Sequence, residues 1–439
     1  MTQPNDGLPR EAADRFTLPL SRFLRIEAAA GVLLLLAATA ALLLANSPWA
    51  GTFLRFWKTP VGLEFGPHDF SRSLSSWIND GLMTLFFFVV ALELKRELVL
   101  GELRDLRLAA LPLAGALGGM LVPISVYLII MAGKLELHGW GTVMATDTAF
   151  VIGCVALFGR RVPASLRLFL LSLAIFDDVG AIVVVAIGYS ENLNAFALAL
   201  AALVLAVVAG LARLGIRDLR IYFLLGGLLW ICLDVSGIHA TAAGVVLGFI
   251  TPTAVWVSDT RLRGILGGLL AHPTGEHWSG DTENRRDLLR AGIAVTESLS
   301  PVERLEMLLH PWTGFMIMPL FALANAGVVI SPANLQQAVS VAIFAGLALG
   351  KPLGVLSFSW LAVRLGLAVR VPGLTWPFLA AGAFLTGIGF TMSLFIAGVA
   401  FSPAVLGAAK IGILSASIVS AAVGIVWLTW LTRRNASNY

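Results

Sequence analysis

The chain is short of charge. Only 13% of its 439 residues are Asp, Glu, Lys or Arg, against ~25% in a typical soluble domain. It has two cysteines, Cys154 and Cys232, in separate apolar segments. Two such residues exclude a disulfide framework and a zinc site on count alone. Residues 1–25 are polar, and no small-residue cleavage site follows the first apolar run. A cleavable signal peptide is therefore not expected, and the first apolar run is expected to direct insertion. What is abundant is apolar: 58% of residues are hydrophobic and the mean hydropathy is +0.87. Length alone suggests two or three soluble domains. Repeated apolar runs of about 20 residues, the thickness of a bilayer, point instead to an all-α polytopic membrane protein. The pI near 9.3 does not signal nucleic acid, because the basic residues sit in short loops.

Twelve spans are read at 27–46, 77–95, 108–131, 140–158, 166–187 and 195–212, then at 220–234, 237–257, 311–329, 336–358, 376–398 and 405–431. Basic residues choose the orientation. With both termini inside, twenty-four of the 30 Lys and Arg fall on the cytoplasmic side. The outside keeps Arg55, Lys58, Arg72 and Lys134, and Lys351 and Lys410 lie within spans. The organisation expected is a cytoplasmic segment 1–26, one twelve-span membrane domain 27–432 and a cytoplasmic tail 433–439. Residues 15–27, "RFTLPLSRFLRIE", read either as an amphipathic surface helix or as a frayed tail. The outer loop 47–76 reads either as a β-hairpin or as a plain surface loop. The inner loop 258–310 is the longest polar stretch. Its part "HPTGEHWSGDTENRRD" reads as a flexible insertion, and 301–312 as a helix leading into the ninth span.

Four charges lie away from span ends. Asp177 and Asp178 stand side by side in "LAIFDDVGAIVVV" (173–185), Asp147 in "TVMATDTAFVIG", and Lys351 in "LALGKPLG". A central charge costs about 2.5 to 3.5 kcal/mol on insertion scales and marks a functional site by default. A packing salt bridge accounts for one Asp and Lys351. It does not account for the set, since three acids and one base cannot neutralise in pairs. The excess carboxylates must hold protons or a cation, and deprotonated they are hard oxygen ligands suited to Na⁺.

Oxygen donors surround these acids. Thr146 and Thr148 flank Asp147, and Ser172 precedes the aspartate pair. Gly139 and Gly141 open the fourth span. Gly387 and Gly389 sit beside Thr386 and Thr391 in the eleventh, "FLTGIGFTMSLFIAG" (384–398). For either span alone these glycines fit close helix packing equally well. As a matched pair in the two halves they point to broken helices meeting at the midplane. Opposed half-helix ends there are compensated by Asp147 and Lys351. Two other classes share part of this pattern. An intramembrane aspartyl protease also needs two membrane aspartates, but from two helices and with a GxGD motif that this chain lacks. A symporter or channel on the same scaffold differs from an antiporter in whether Na⁺ and H⁺ exchange.

Taken together, "ATDTAFVIG", "LSLAIFDDVGAIVVVA", "LGKPLG", "RLEMLLHPW", "LFALANAG" and "GIGFTMSLFIAGVAF" resemble the NhaA-type Na⁺/H⁺ antiporters from about residue 20 to 430. The resemblance implies an inverted-topology repeat with two discontinuous helices, the fourth and eleventh, crossing at mid-membrane. Its core would be 108–187 and 336–431, with the other spans forming a panel and dimer side. It implies electrogenic, pH-regulated Na⁺ (or Li⁺) export against H⁺, without enzymatic chemistry or a cofactor. It implies a bacterial inner-membrane location and a homodimer through the outer hairpin. Carried over, Asp177 and Asp178 are the ion-site aspartates, Asp147 and Thr146 support them, and Lys351 pairs with Asp177. Glu93, Arg96 and Glu97 in "ALELKREL", with Arg304, Glu306 and His310, match a pH-sensing cluster; an ordinary charged helix end fits the first three equally well. This chain has Met307 where some relatives carry histidine after "RLE", and its insertion around 273–287 is longer than usual. Asn79 and Asp80 are expected to cap the second span. His239 in "GIHATAAG" has a pH role by the resemblance or packs at a helix start, and Lys410 is expected to compensate a helix end or to snorkel.

Overall fold

The computed structural model describes residues 27–65, 68–101, 106–189, 193–216, 219–270 and 282–436. The segment 15–26 and the 273–281 part of the insertion lie outside the described residues. The described chain is predominantly helical, as a lipid-spanning chain must be to satisfy its own backbone. Among the described residues, nine helices are long and apolar enough to cross a membrane. The number is ten if the bent pair Ala29–Ala45 and Ala50–Trp57, 120° apart, counts as one.

The apolar run at 237–257 differs from its reading as a full span. It is helical only over Ala242–Ile250, nine residues, or about 14 Å, short of the ~30 Å hydrocarbon thickness. The helix stops at Thr251, whose backbone turns extended (ψ 127°). The following residue is Pro252, and proline disfavours helical geometry in its predecessor.

The described residues fall into two compact units. The first comprises the described parts of Met1–Asn79, Ala110–Ala181 and Pro311–Tyr439; the second comprises those of Asp80–Ala109 and Ile182–His310. In the first, an antiparallel hairpin is formed by β1 (Pro60–Phe65) and β2 (His68–Ser73), in register from Pro60 opposite Ser73 to Phe65 opposite His68. Small residues let its helices touch through their backbones: a side chain at Gly118 would strike the Gly354 carbonyl, and one at Gly354 the Gly118 carbonyl. In the second unit, Ala242–Ile250 lies against Met83–Val99. Gly244 there meets the Thr84 carbonyl, and Gly248 has Phe88 O 3.0 Å from where a Cβ would sit.

The second span starts earlier than Asn79. Its helix begins at Leu74, and Ser73 caps it by accepting from Ser76 N at 3.1 Å. Asn79 and Asp80 instead lie inside a π-helical stretch, Trp77–Leu82. Asn79 forms a reciprocal amide pair with Asn325, at 2.7 and 3.3 Å. The capping signal is the Ser73 hydroxyl, three residues before the N–H it accepts.

Candidate ion site

Two spans of the first unit are interrupted in their middles. One runs as a 3₁₀ helix over Leu135–Val143, loses helical form near residues 144–147, and resumes as Thr148–Ala156. The other is Trp376–Thr386, a break at Gly387–Gly389, then Phe390–Ala400. The breaks meet backbone to backbone: Asp147 N donates to Ile388 O at 2.7 Å.

Asp147 is the N-cap of Thr148–Ala156. Its Oδ1 accepts from Phe150 N at 3.1 Å. Its Oδ2 accepts from Thr391 N at 3.0 Å and Thr391 Oγ1 at 2.6 Å. Thr391 opens the first turn of Phe390–Ala400, so one carboxylate closes two half-helix N-termini. Each carries about half a positive charge. At the opposite pole, the Lys351 ammonium donates to Met144 O, the residue that ends the 3₁₀ helix. A cation there meets the negative end of a helical segment.

Asp177 lies on helix Ala164–Gly188. Its Oδ2 is 3.0 Å from Lys351 Nζ and accepts from Thr146 Oγ1 at 2.6 Å. Its Oδ1 is buried without a hydrogen-bond partner among the described residues. Thr146 has a single hydroxyl proton and a second acceptor within reach, Thr386 O at 3.1 Å. Asp178, next in sequence, has Oδ2 3.4 Å from Thr148 Oγ1. Asp177 and Lys351 are wholly buried, Asp147 and Thr146 are 1% exposed, and Asp178 is 5% exposed.

The structure thus gathers Asp177, Lys351, Thr146, Asp147 and Asp178 around the two breaks. Sequence reasoning had noticed Thr386 and Thr391 only as neighbours of glycines. It missed that Thr391 serves Asp147 directly, and that main-chain oxygens of Met144, Thr386 and Ile388 join the network. Gly387 has a clear reason to be glycine. A Cβ there would sit 2.5 Å from Ser420 Oγ and 2.6 Å from Leu347 O.

The charged cluster of the second unit is of another kind. Arg96 pairs with Glu306 at 2.6 Å and with Glu97 at 2.7 Å, its own side chain 34% exposed. Glu93 lies one turn earlier on the same helix, Met83–Val99. Arg304 does not join them; it pairs with Glu297 at 2.7 Å. His310 is exposed in the last turn of Pro301–Trp312. That helix opens with a capping box that Ser300–Pro301 announces: Glu303 N donates to Ser300 Oγ, and Ser300 N donates to Glu303 Oε2. Lys95, beside Arg96 on the same helix, donates to Phe249 O and Thr251 O at 2.6 Å each. It thereby caps the C-terminus of Ala242–Ile250. His239 precedes that helix, with Nδ1 3.4 Å from Thr241 Oγ1. Lys410 lies half-buried in Pro403–Ala436.

A multi-pass membrane protein with a buried, charged centre where two interrupted helices meet is the class these observations define. A sequence profile of the family Na⁺/H⁺ antiporter 1 matches residues 21–428. The chain is 58% identical to the Na(+)/H(+) antiporter NhaA of Rhizobium meliloti, covering 98% of both chains. It is 57% identical to Na(+)/H(+) antiporter NhaA 2 of Acidiphilium cryptum, covering 99% of this chain and 97% of the relative. It is 44% identical to NhaA 2 of Pseudomonas putida strain F1, over 98% and 97%. The chain belongs to the NhaA family of Na⁺/H⁺ antiporters.

Proposed function

We propose that this protein exchanges Na⁺ (or Li⁺) for H⁺ by alternating access, with Asp177 and Asp178 as the groups over which the two ions compete. The observation that carries this reading is the wholly buried Asp177, with one oxygen shared by Lys351 and Thr146 and the other without a hydrogen-bond partner among the described residues. A buried ion pair stripped of one member costs about 3–5 kcal/mol. Asp177 therefore stays paired with Lys351 until a proton or a cation takes the place of the ammonium. Asp178, the more accessible of the two, receives the ion first. Thr146 and the main-chain oxygens around the breaks complete its oxygen shell.

Asp147 holds the half-helix ends and Lys351 balances the 3₁₀ end, so the backbone of the site stays ordered while its ions exchange. If more protons than Na⁺ ions move per cycle, transport carries charge, and proton entry across an energised bacterial inner membrane drives Na⁺ out. The twelve-span inverted repeat, with both termini in the cytoplasm, is the topology we assign. Its eighth crossing is Ala242–Ile250 together with the non-helical residues that flank it, bordered by protein. We assign pH regulation to the Glu93, Arg96, Glu97 and Glu306 cluster, and dimer formation to the hairpin β1–β2.

The test is reconstitution in proteoliposomes with an imposed pH gradient. Na⁺ addition is expected to collapse the gradient in the native protein and not in Asp178→Asn. A potassium-clamped membrane potential is expected to change the rate, which reads out electrogenicity. Gradient collapse persisting in Asp178→Asn removes the site assignment. Na⁺ flux without H⁺ movement replaces exchange by a channel.

A further inference from the structure

The long inner loop contains two helices that do not span. Asp259–Leu270 and Thr282–Thr296 pack on each other, and neither is among the helices fit to cross a membrane. In Thr282–Thr296 the packed side is marked by the buried Ala291 and Ala294. At about 100° per residue, Leu289 and Ile293 stand opposite the packed side, and Leu288 and Val295 lie between the two, so that the four span one wide arc. These four side chains are between 42% and 69% exposed. Exposed Arg286 and Arg290 lie along one border of that apolar arc. The companion helix has no fully buried residue; it adds Leu270, 87% exposed, and exposed Arg261 and Arg263. Among the described side chains of the pair, four arginines stand against two acids, Asp259 and Asp287.

Connectivity fixes where this helix pair sits. Its base is closed by Val257 N donating to Glu297 O at 3.2 Å, and Glu297 is tied to Arg304 at 2.7 Å. Arg304 belongs to the first turn of Pro301–Trp312, which is the start of the candidate span Pro301–Asn325. The apolar arc is therefore tethered within a few residues of a span end, at the membrane–water boundary. An exposed leucine on a spanning helix faces acyl chains. Here the helix is too charged to span, which leaves the interface plane.

We propose that the helix pair 259–270 and 282–296 lies on the membrane surface as an amphipathic anchor. Leu288, Leu289, Ile293 and Val295 enter the headgroup–acyl boundary, and Arg261, Arg263, Arg286 and Arg290 bind phosphates of anionic phospholipid. A surface of this kind binds through buried apolar area and through attraction to anionic headgroups. Lipid is the occupant because the arc is bordered by arginines and because its tether holds it at the bilayer before any partner arrives.

The experiment places a nitroxide on Ile293→Cys in the full chain; Cys154 and Cys232 are buried, which leaves the new thiol selectively reactive. A second label on Ser258→Cys, an exposed polar position, is the aqueous reference. Both are read in nanodiscs holding one copy each, of phosphatidylcholine alone or with one-third phosphatidylglycerol. With phosphatidylglycerol, collisions with oxygen relative to an aqueous nickel complex are expected to be severalfold higher at 293 than at 258. Without it, or in Arg286→Gln/Arg290→Gln, that ratio is expected to fall. Equal ratios at 293 and 258 overturn the anchor. Equal ratios in the two lipids overturn the anionic-lipid assignment. Shielding at 293 that appears only in nanodiscs holding two copies assigns the arc to a protein contact and overturns the proposal.

Discussion

The two interrupted spans do the same thing to the backbone with opposite means. The break before Thr148 is built from polar and ionisable side chains: Thr146, Asp147 and Thr148 stand there in a row. The break at Gly387–Gly389 has no ionisable residue. It is built from space, because a side chain at Gly387 would meet the Leu347 carbonyl and Ser420. The first break therefore supplies the charge for both, since Asp147 closes its own helix and that of Phe390–Ala400. The second supplies carbonyls and close approach: Thr386 O and Ile388 O accept from Thr146 and Asp147. Charge inside a membrane is costly, and sharing one carboxylate between two positive helix ends halves the number of acids needed.

That division of labour is broken most severely by removing the shared carboxylate. Asp147→Ala leaves three donors without their acceptor: the buried Thr391 N and Thr391 Oγ1, and the half-buried Phe150 N. An unsatisfied buried group costs about 1–3 kcal/mol and a lost cap about 0.5–2 kcal/mol. Because the three share one acceptor, the sum is not additive, and a loss of roughly 3–5 kcal/mol is expected. Asp147→Asn keeps one acceptor oxygen and is expected to lose about half as much. Thermal unfolding of the purified protein without Na⁺ measures both, and equal stability of native and Asp147→Ala protein refutes the shared cap.

Next in size is crowding of the second break. Gly387→Ala places a methyl group against main chain at Leu347, which has no rotamer to yield, and a cost of about 1–3 kcal/mol is expected. Gly398→Ala, further along Phe390–Ala400, has nothing within 4 Å of the added methyl. It is expected to gain up to about 1 kcal/mol from helix propensity. Opposite signs for two Gly→Ala changes in one interrupted span would tie the cost to the break itself. Equal signs would show that Gly387 is not held by space.

How much of this could be read from the sequence follows the range of each interaction. The buried charges were legible because a bilayer makes any central Asp or Lys conspicuous, and Gly387 and Gly389 marked the second interruption; Gly139 and Gly141 lie within the 3₁₀ helix that precedes the first. The hairpin was legible as one of two readings, from alternation around a Gly/Pro break. Asp147 serving Thr391 was not legible, since it joins residues 244 positions apart. Nor was the pairing of Arg304 with Glu297 rather than with the Arg96 cluster, because several acids lie within reach of one arginine on a helix end. The short Ala242–Ile250 was overread because apolar content continues past Thr251–Pro252 while helical geometry does not. The early start of the second span was not legible because Ser73, Asn79 and Asp80 are all good capping residues, and only the fold shows that Ser73 accepts from Ser76 N.

A finer cut separates side chain from backbone at the junction. Thr391→Val keeps the amide bond to Asp147 Oδ2 and removes the 2.6 Å hydroxyl bond. A loss of about 1–1.5 kcal/mol is expected, and Thr391→Ser is expected to restore most of it. A valine variant as stable as the native protein would mean that the amide alone carries the junction.

The smallest expected effect probes whether the second break has polar support of its own. Phe390 N donates to Ser417 Oγ at 3.3 Å, a long bond between neutral groups. Removing it by Ser417→Ala exposes no charge and leaves a donor at a helix N-terminus already drawn toward Asp147. A loss of about 0.5 kcal/mol is expected, the low end for a neutral hydrogen bond. In the Asp147→Asn background the same change should cost more, because the helix end then depends on what remains around it. A double-mutant cycle gives the coupling. If Ser417→Ala alone costs as much as Asp147→Asn, the second break does not borrow its stabilisation from the first, and the two interruptions are independent.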